Sequence, residues 1–144
     1  MPEYVNNSIQ TVQPNQNVIF TETAVPCTKG YVIHRQGSGI ITLRGIVNNS
    51  CACSARYKVS FGANVAIAEG GTVEPISIGL AIDGEAVNTS QAIVTPAAVG
   101  DFWNIYESLF VSVPKGCCYT IAVENLSGQA IDVQNANIII ERVA

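Results

Sequence analysis

At 144 residues, 48% hydrophobic and 12% charged, the chain can bury one full core and has no room for a second. A net charge of −4, with seven dispersed Lys and Arg, lacks the basic stripe that nucleic-acid binding needs and argues against it. No apolar run approaches the roughly 20 residues that cross a bilayer, and no basic amphipathic helix is legible, which argues against membrane insertion.

The opening MPEYVNNSIQTVQPNQ is polar and aperiodic. It reads as an N-terminal arm over 1–16, ahead of a single domain over 17–144, with Tyr4, Val5 and Ile9 as its apolar contacts for a partner. It has neither a basic leader nor an apolar h-region, so folding in a cytoplasm is expected. From there, short runs of Val, Ile, Tyr, Phe and Thr recur between Gly, Pro, Asn and Ser. They predict strands near Val18–Thr23, Tyr31–Arg35, Gly39–Ile46, Ala55–Ala66, Ile76–Ile82, Glu85–Val87, Gln91–Thr95, Ile105–Val113, Cys117–Asn125 and Asn135–Val143. Helical periodicity is nearly absent, so the fold class is all-β, and about ten short strands suit a two-sheet antiparallel sandwich or jelly roll.

Asp83-Gly84 supplies the two positive φ angles of a type I′ hairpin between GLAI and EAV. Pro114-Lys115-Gly116 lies between two alternating strands, which predicts a second antiparallel pair. In the later of these, Cys117, Tyr119, Ile121 and Val123 alternate with Cys118, Thr120, Ala122 and Glu124, placing one set on a buried face. Ile138-Ile139-Ile140 breaks the alternation. A strand apolar on both faces is covered on both, which predicts an oligomer.

The succession NVIFTETAV, IHRQGSGIITLRG, ARYKVSFGANVAI, ISIGLAIDGEAV, FVSVPKGCCYTIAVEN and NANIIIERV resembles the tumour necrosis factor-like and complement-q globular-head jelly rolls. Ala55-Arg56-Tyr57-Lys58-Val59 matches the family's small-x-Tyr-x-apolar strand. Lys115-Gly116 matches its Lys-Gly-Asp turn, with Cys117 in place of the Asp. The resemblance implies a homotrimer whose inner sheets meet around a threefold axis. Tyr57, Val59 and Phe61 would then face the core, and Arg56, Lys58 and Ser60 the axis, in a polar seam closed by Thr120 and Ile139. Animal cytokines place aromatics on that seam. HRQGSGIITLRG, GGTVEPISIGLAIDGE, VTPAAV and VPKGCC are also similar to phrases in small structural proteins of Firmicutes gut phages and prophages. That resemblance implies a virion protein, a head decoration or fibre-associated trimer with capsid or fibre proteins as partners.

Five cysteines offer competing chemistries: Cys27, Cys51, Cys53, Cys117 and Cys118. They read as reduced or core thiols, as disulfides, or, with His34, as a zinc site whose Cys-x-Cys and Cys-Cys spacings are tighter than ordinary zinc knuckles. His34 beside Cys27 or Cys51 would make a nucleophilic pair, but no elbow or oxyanion motif accompanies it, so no enzyme is expected. Glu69, Glu74, Asp83 and Glu85 lack the D-x-D-x-D-G spacing of a calcium loop. The expectation is therefore no cofactor, with zinc and calcium as the alternatives. Phe102, Trp103, Tyr106 and Phe110 form either a recognition surface or a packing cluster. The first of these readings makes a carbohydrate-binding or host-adhesion module, taking a host-surface glycan, the alternative function.

Overall fold

The computed structural model describes residues 2–27, 30–45 and 53–143, and within these the side chains of all but 88–90. Ile46, Cys51 and the two terminal residues lie outside them. Among the described residues eleven strands follow in chain order: β1 (Glu3–Asn6), β2 (Gln10–Val12), β3 (Glu22–Val25), β4 (Val32–His34), β5 (Ile41–Arg44), β6 (Ser54–Ile67), β7 (Ile76–Ile82), β8 (Glu85–Val94), β9 (Trp103–Pro114), β10 (Cys118–Asn125) and β11 (Ile131–Arg142). All pair antiparallel in two sheets. Sheet A runs β3-β1-β11-β6-β9, with β2 also on β11; sheet B runs β4-β5-β10-β7-β8. This is the two-sheet antiparallel sandwich that the strand pattern suits and the jelly roll that the resemblance implies.

Strict alternation builds the interior. Ala55, Tyr57, Val59, Phe61, Ala63 and Val65 of β6 all point inward and are buried. From sheet B, Ile41, Leu43, Ile76, Ile78, Leu80, Ile121 and Val123 close over them. The Phe20 and Phe61 rings meet edge to face with centroids 6.3 Å apart, the favoured aromatic geometry. Tyr57 is the largest fully buried side chain. Its hydroxyl, on sheet A, donates to the Arg44 carbonyl of sheet B and approaches that of Tyr31 at 3.4 Å, so a core aromatic also ties the two layers.

The first sixteen residues are not an arm. β1 pairs with β11 and β3, β2 pairs with β11, and Tyr4 and Val12 are buried in the core. The alternation Glu3, Tyr4, Val5, Asn6 is too short to stand out in sequence, yet it is satisfied by a long partner strand already in place.

The turn at Pro114 also differs from expectation. β9 pairs along its whole length with β6, and β10 lies between β5 and β7 in the other sheet. Asp83 and Gly84 both have positive φ, 51° and 83°, and β7 and β8 pair directly on either side as Ile82↔Glu85. In the later turn only Gly116 is positive, at 78°, and the Cys117 amide bonds the Pro114 carbonyl at 3.1 Å. One positive φ at the third position is a type II pattern, which splays strands instead of pairing them and here carries the chain between sheets.

Smaller differences follow from pairing. The expected strands at Glu85 and Gln91 are one strand with a register shift between Gly79 and Ala81 of its partner. The first expected strand moves to Glu22–Val25, while Phe20 forms only an isolated bridge to Ser38.

Candidate functional site

The outer face of sheet A gathers side chains from four strands. On β6, Arg56, Lys58, Ser60 and Asn64 alternate outward with the buried core residues. Register sets Ser60 beside Ile139 of β11 and Ser108 of β9, and Lys58 beside Glu141 and Phe110. Gly62 lies between Asn137 and Tyr106. β1 adds Glu3, whose carboxylate accepts from the Asn137 amide at 3.1 Å, and Val5 beside Asn137.

Tyr106 and Phe110 stand on this face, each 63% exposed, four residues apart on one edge strand. Ile139 is half-buried between fully buried Ile138 and Ile140. The face expected to hold a polar seam closed by Ile139 therefore also carries two exposed aromatics. The Gly62 position matters here: it leaves the strand next to Tyr106 without a side chain, and a Cβ there would lie 3.7 Å from the Tyr106 ring. Hydrogen bonding to Ser60 and Ser108 lowers the pKa of the Tyr106 phenol.

The structure brings together four of the five residues expected at the trimer seam: Arg56, Lys58, Ser60 and Ile139. Thr120 is not among them. It sits on β10 in sheet B, where its amide and hydroxyl donate to the Asp83 carboxylate at 2.8 and 3.1 Å. The three residues expected to attach a partner also separate. Tyr4 is 4% exposed and belongs to the core, Val5 lies on the outer face of sheet A, and Ile9 is 56% exposed between β1 and β2.

The chemistry-bearing residues are dispersed. The His34 ring packs tilted against Tyr4 with centroids 4.4 Å apart and donates from Nε2 to the Ser38 carbonyl at 2.8 Å; its Nδ1 is buried without a partner. Cys27 is half-buried within electrostatic reach of Tyr4 and Tyr57, whose phenols are held above their usual pKa first by burial. Cys53, Cys117 and Cys118 are exposed at one end of the sandwich, where the Lys115 amide bonds the Cys53 carbonyl at 3.0 Å. Cys118 pairs with Arg44, and His34 pairs with Ile41 three residues along β5, a strand distance of about 10 Å. His34 therefore does not join these thiols, and no group of three or more His, Cys, Asp or Glu among the described residues could hold a metal ion. Cys51 lies outside the described residues.

Of the four aromatics before and within β9, Phe102 and Trp103 are also exposed, and the Trp103 indole donates to the Asp101 carboxylate at 3.1 Å. One residue that sequence reasoning passed over is Glu107. It occupies an inward position of β9 and is buried. The signal was in the pattern: the alternation Ile105, Glu107, Leu109, Val111, Val113 sets a carboxylate in an apolar series.

No protein-family model matches the chain, and no curated protein matches its sequence. Solved structures do match. The globular domain of zebrafish complement 1qA superposes with a TM-score of 0.51 at 13% identity, over 96% of this chain and 94% of that one. The C-terminal domain of EclA, a sugar-binding protein, gives 0.37 at 14% identity, over 94% of this chain and 80% of that one. CBM35 from Cellvibrio japonicus Abf62 gives 0.30 at 10% identity, over 95% and 99%. The first likeness is one of fold: a tumour necrosis factor-like jelly roll with two antiparallel sheets.

Proposed function

We propose that this chain is a non-enzymatic structural module that associates as a homotrimer through the outer face of sheet A. The observation that carries the reading is the placement of Tyr106 and Phe110, both largely exposed, beside half-buried Ile139 on one sheet face. Two large aromatics on a flat face hold apolar area that water solvates poorly, and aromatic side chains are the usual anchors of protein interfaces. Lys58 and Arg56 stand on the same face as Glu3 and Glu141, so copies meeting there can match opposite charges. The native mass of the purified protein tests this. A particle near three times the 15.2 kDa chain mass is expected, and a monomer at tens of micromolar overturns the reading.

The particle served by such a trimer is, in this proposal, a bacteriophage virion, with the chain as a head decoration or fibre-associated protein. Support comes from the resemblance of HRQGSGIITLRG, GGTVEPISIGLAIDGE and VPKGCC to small structural proteins of phages and prophages. Mass spectrometry of purified particles from an induced host is the test: the chain co-purifies with capsid or fibre proteins if the assignment holds and stays in the soluble lysate if it does not. A second reading is favoured by Trp103, 44% exposed and oriented by Asp101, since a fixed indole suits stacking on a sugar ring. Selective binding on a glycan array, lost in Trp103→Ala, would establish that reading in place of a purely structural role.

A further inference from the structure

Glu107 is 8% exposed, and neither of its carboxylate oxygens has a hydrogen-bond partner. It points into the sandwich from β9, directly opposite Phe61 of β6 and flanked along its own face by Ile105 and Leu109. β9 is the edge of sheet A. Its backbone ladder runs only to β6, and across the mouth of the sandwich it packs against β8, the edge of sheet B. The seam between β8 and β9 is thus closed by packing and not by sheet hydrogen bonds, so each of these edge strands is held by a single ladder and frays from it once the packing across the seam is lost.

We propose that Glu107 is a pH-operated latch on this seam. Protonated, the carboxyl tolerates apolar surroundings and β9 stays packed on β8. Ionised, it needs water that the closed seam does not supply, and the edge strand moves outward to hydrate it. Among the described residues, the surrounding charges offer no rescue. On β6, Arg56 and Lys58 face the opposite side of sheet A; on β8, Glu85 stands at the Asp83-Gly84 turn; on β10, Glu124 alternates outward from buried Val123. Burial alone raises the Glu107 carboxyl from its ordinary 4.5 to about 7. Because the folded chain keeps a proton that an open or unfolded chain releases, closure is favoured below the ordinary pKa. It weakens as pH rises towards about 7 and changes little above that.

Hydrogen exchange of the intact chain at pH 5 and pH 8, corrected for the intrinsic rate, tests the latch. Each pH unit in the window changes the opening equilibrium by at most about tenfold, so protection along β8 and β9 should fall by up to about a hundredfold. Protection in β7 and β10 should fall far less. In Glu107→Gln, protection of β8 and β9 should be independent of pH. Glu107→Met, which keeps length without charge, serves if the glutamine variant folds poorly. A wild type with no pH-dependent loss, or variants that lose protection as the wild type does, would overturn the proposal.

Discussion

The two sheets share a core and differ in what they show to water. Sheet A presents Tyr106, Phe110 and Ile139 among long charged side chains. At the centre of sheet B the outward positions hold no aromatic: Thr42 lies beside Thr120, Ala81 beside Ala122, and Gly79 beside Glu124. Among the described strand residues of this sheet, the large exposed apolar groups Ile33 and Ile93 lie on the edge strands β4 and β8. On sheet B, Thr120 is paired with Asp83 and the Ser77 hydroxyl with Gln91. A face whose groups are already paired gains little from a partner, while one that exposes aromatics gains from desolvation.

The sharpest way to break this comparison is to place one charge on each face. Phe110→Asp should weaken association by at least about a hundredfold, ~2.7 kcal/mol, and give a monomeric native mass at low micromolar concentration. Thr42→Asp on sheet B should leave the native mass unchanged. Equal effects from the two would remove the distinction between the faces. A smaller effect concerns what joins the sheets. Tyr57→Phe deletes the hydroxyl that reaches Arg44 across the core, and denaturant unfolding should report a loss of about 1–2 kcal/mol with association preserved. The smallest effect sharpens the contrast between turns. Gly84→Ala and Gly116→Ala add a Cβ with no heavy atom within 4 Å, so each should cost only the conformational penalty of positive φ, about 1 kcal/mol in thermal unfolding.

Those turns also mark how far the sequence could be read. Asp83-Gly84 was legible because two positive φ angles in succession are almost confined to such a pair and to one kind of hairpin. Pro114-Lys115-Gly116 is as clear a turn, but residue types do not say whether the flanking strands stay in one sheet or change sheets. The faces of β6 came from the resemblance, which set Tyr57, Val59 and Phe61 inward, and they agree with the strand's alternation, a period of two that fixes faces whatever the strand pairs with. Alternation could not say which strand lies beside which. The outward places of Tyr106 and Phe110 were therefore readable, but their position beside Lys58 and Gly62 was not. The short β1 and β2 were hidden for a related reason: three or four residues carry too little periodicity, and their strand character comes from β11.

The pairing of β1 with β11 has a consequence for how the chain reaches this state. Asn137 bonds Glu3 across 134 positions of sequence, and β11 is made after every strand it pairs with. The centre of sheet A therefore cannot close until synthesis has passed β11, and the topology is of the slow, high-contact-order kind. Until then Tyr4, Val12 and the inward face of β6 have no central strand beside them, which makes the nascent chain the state most vulnerable to aggregation and to holding by chaperones.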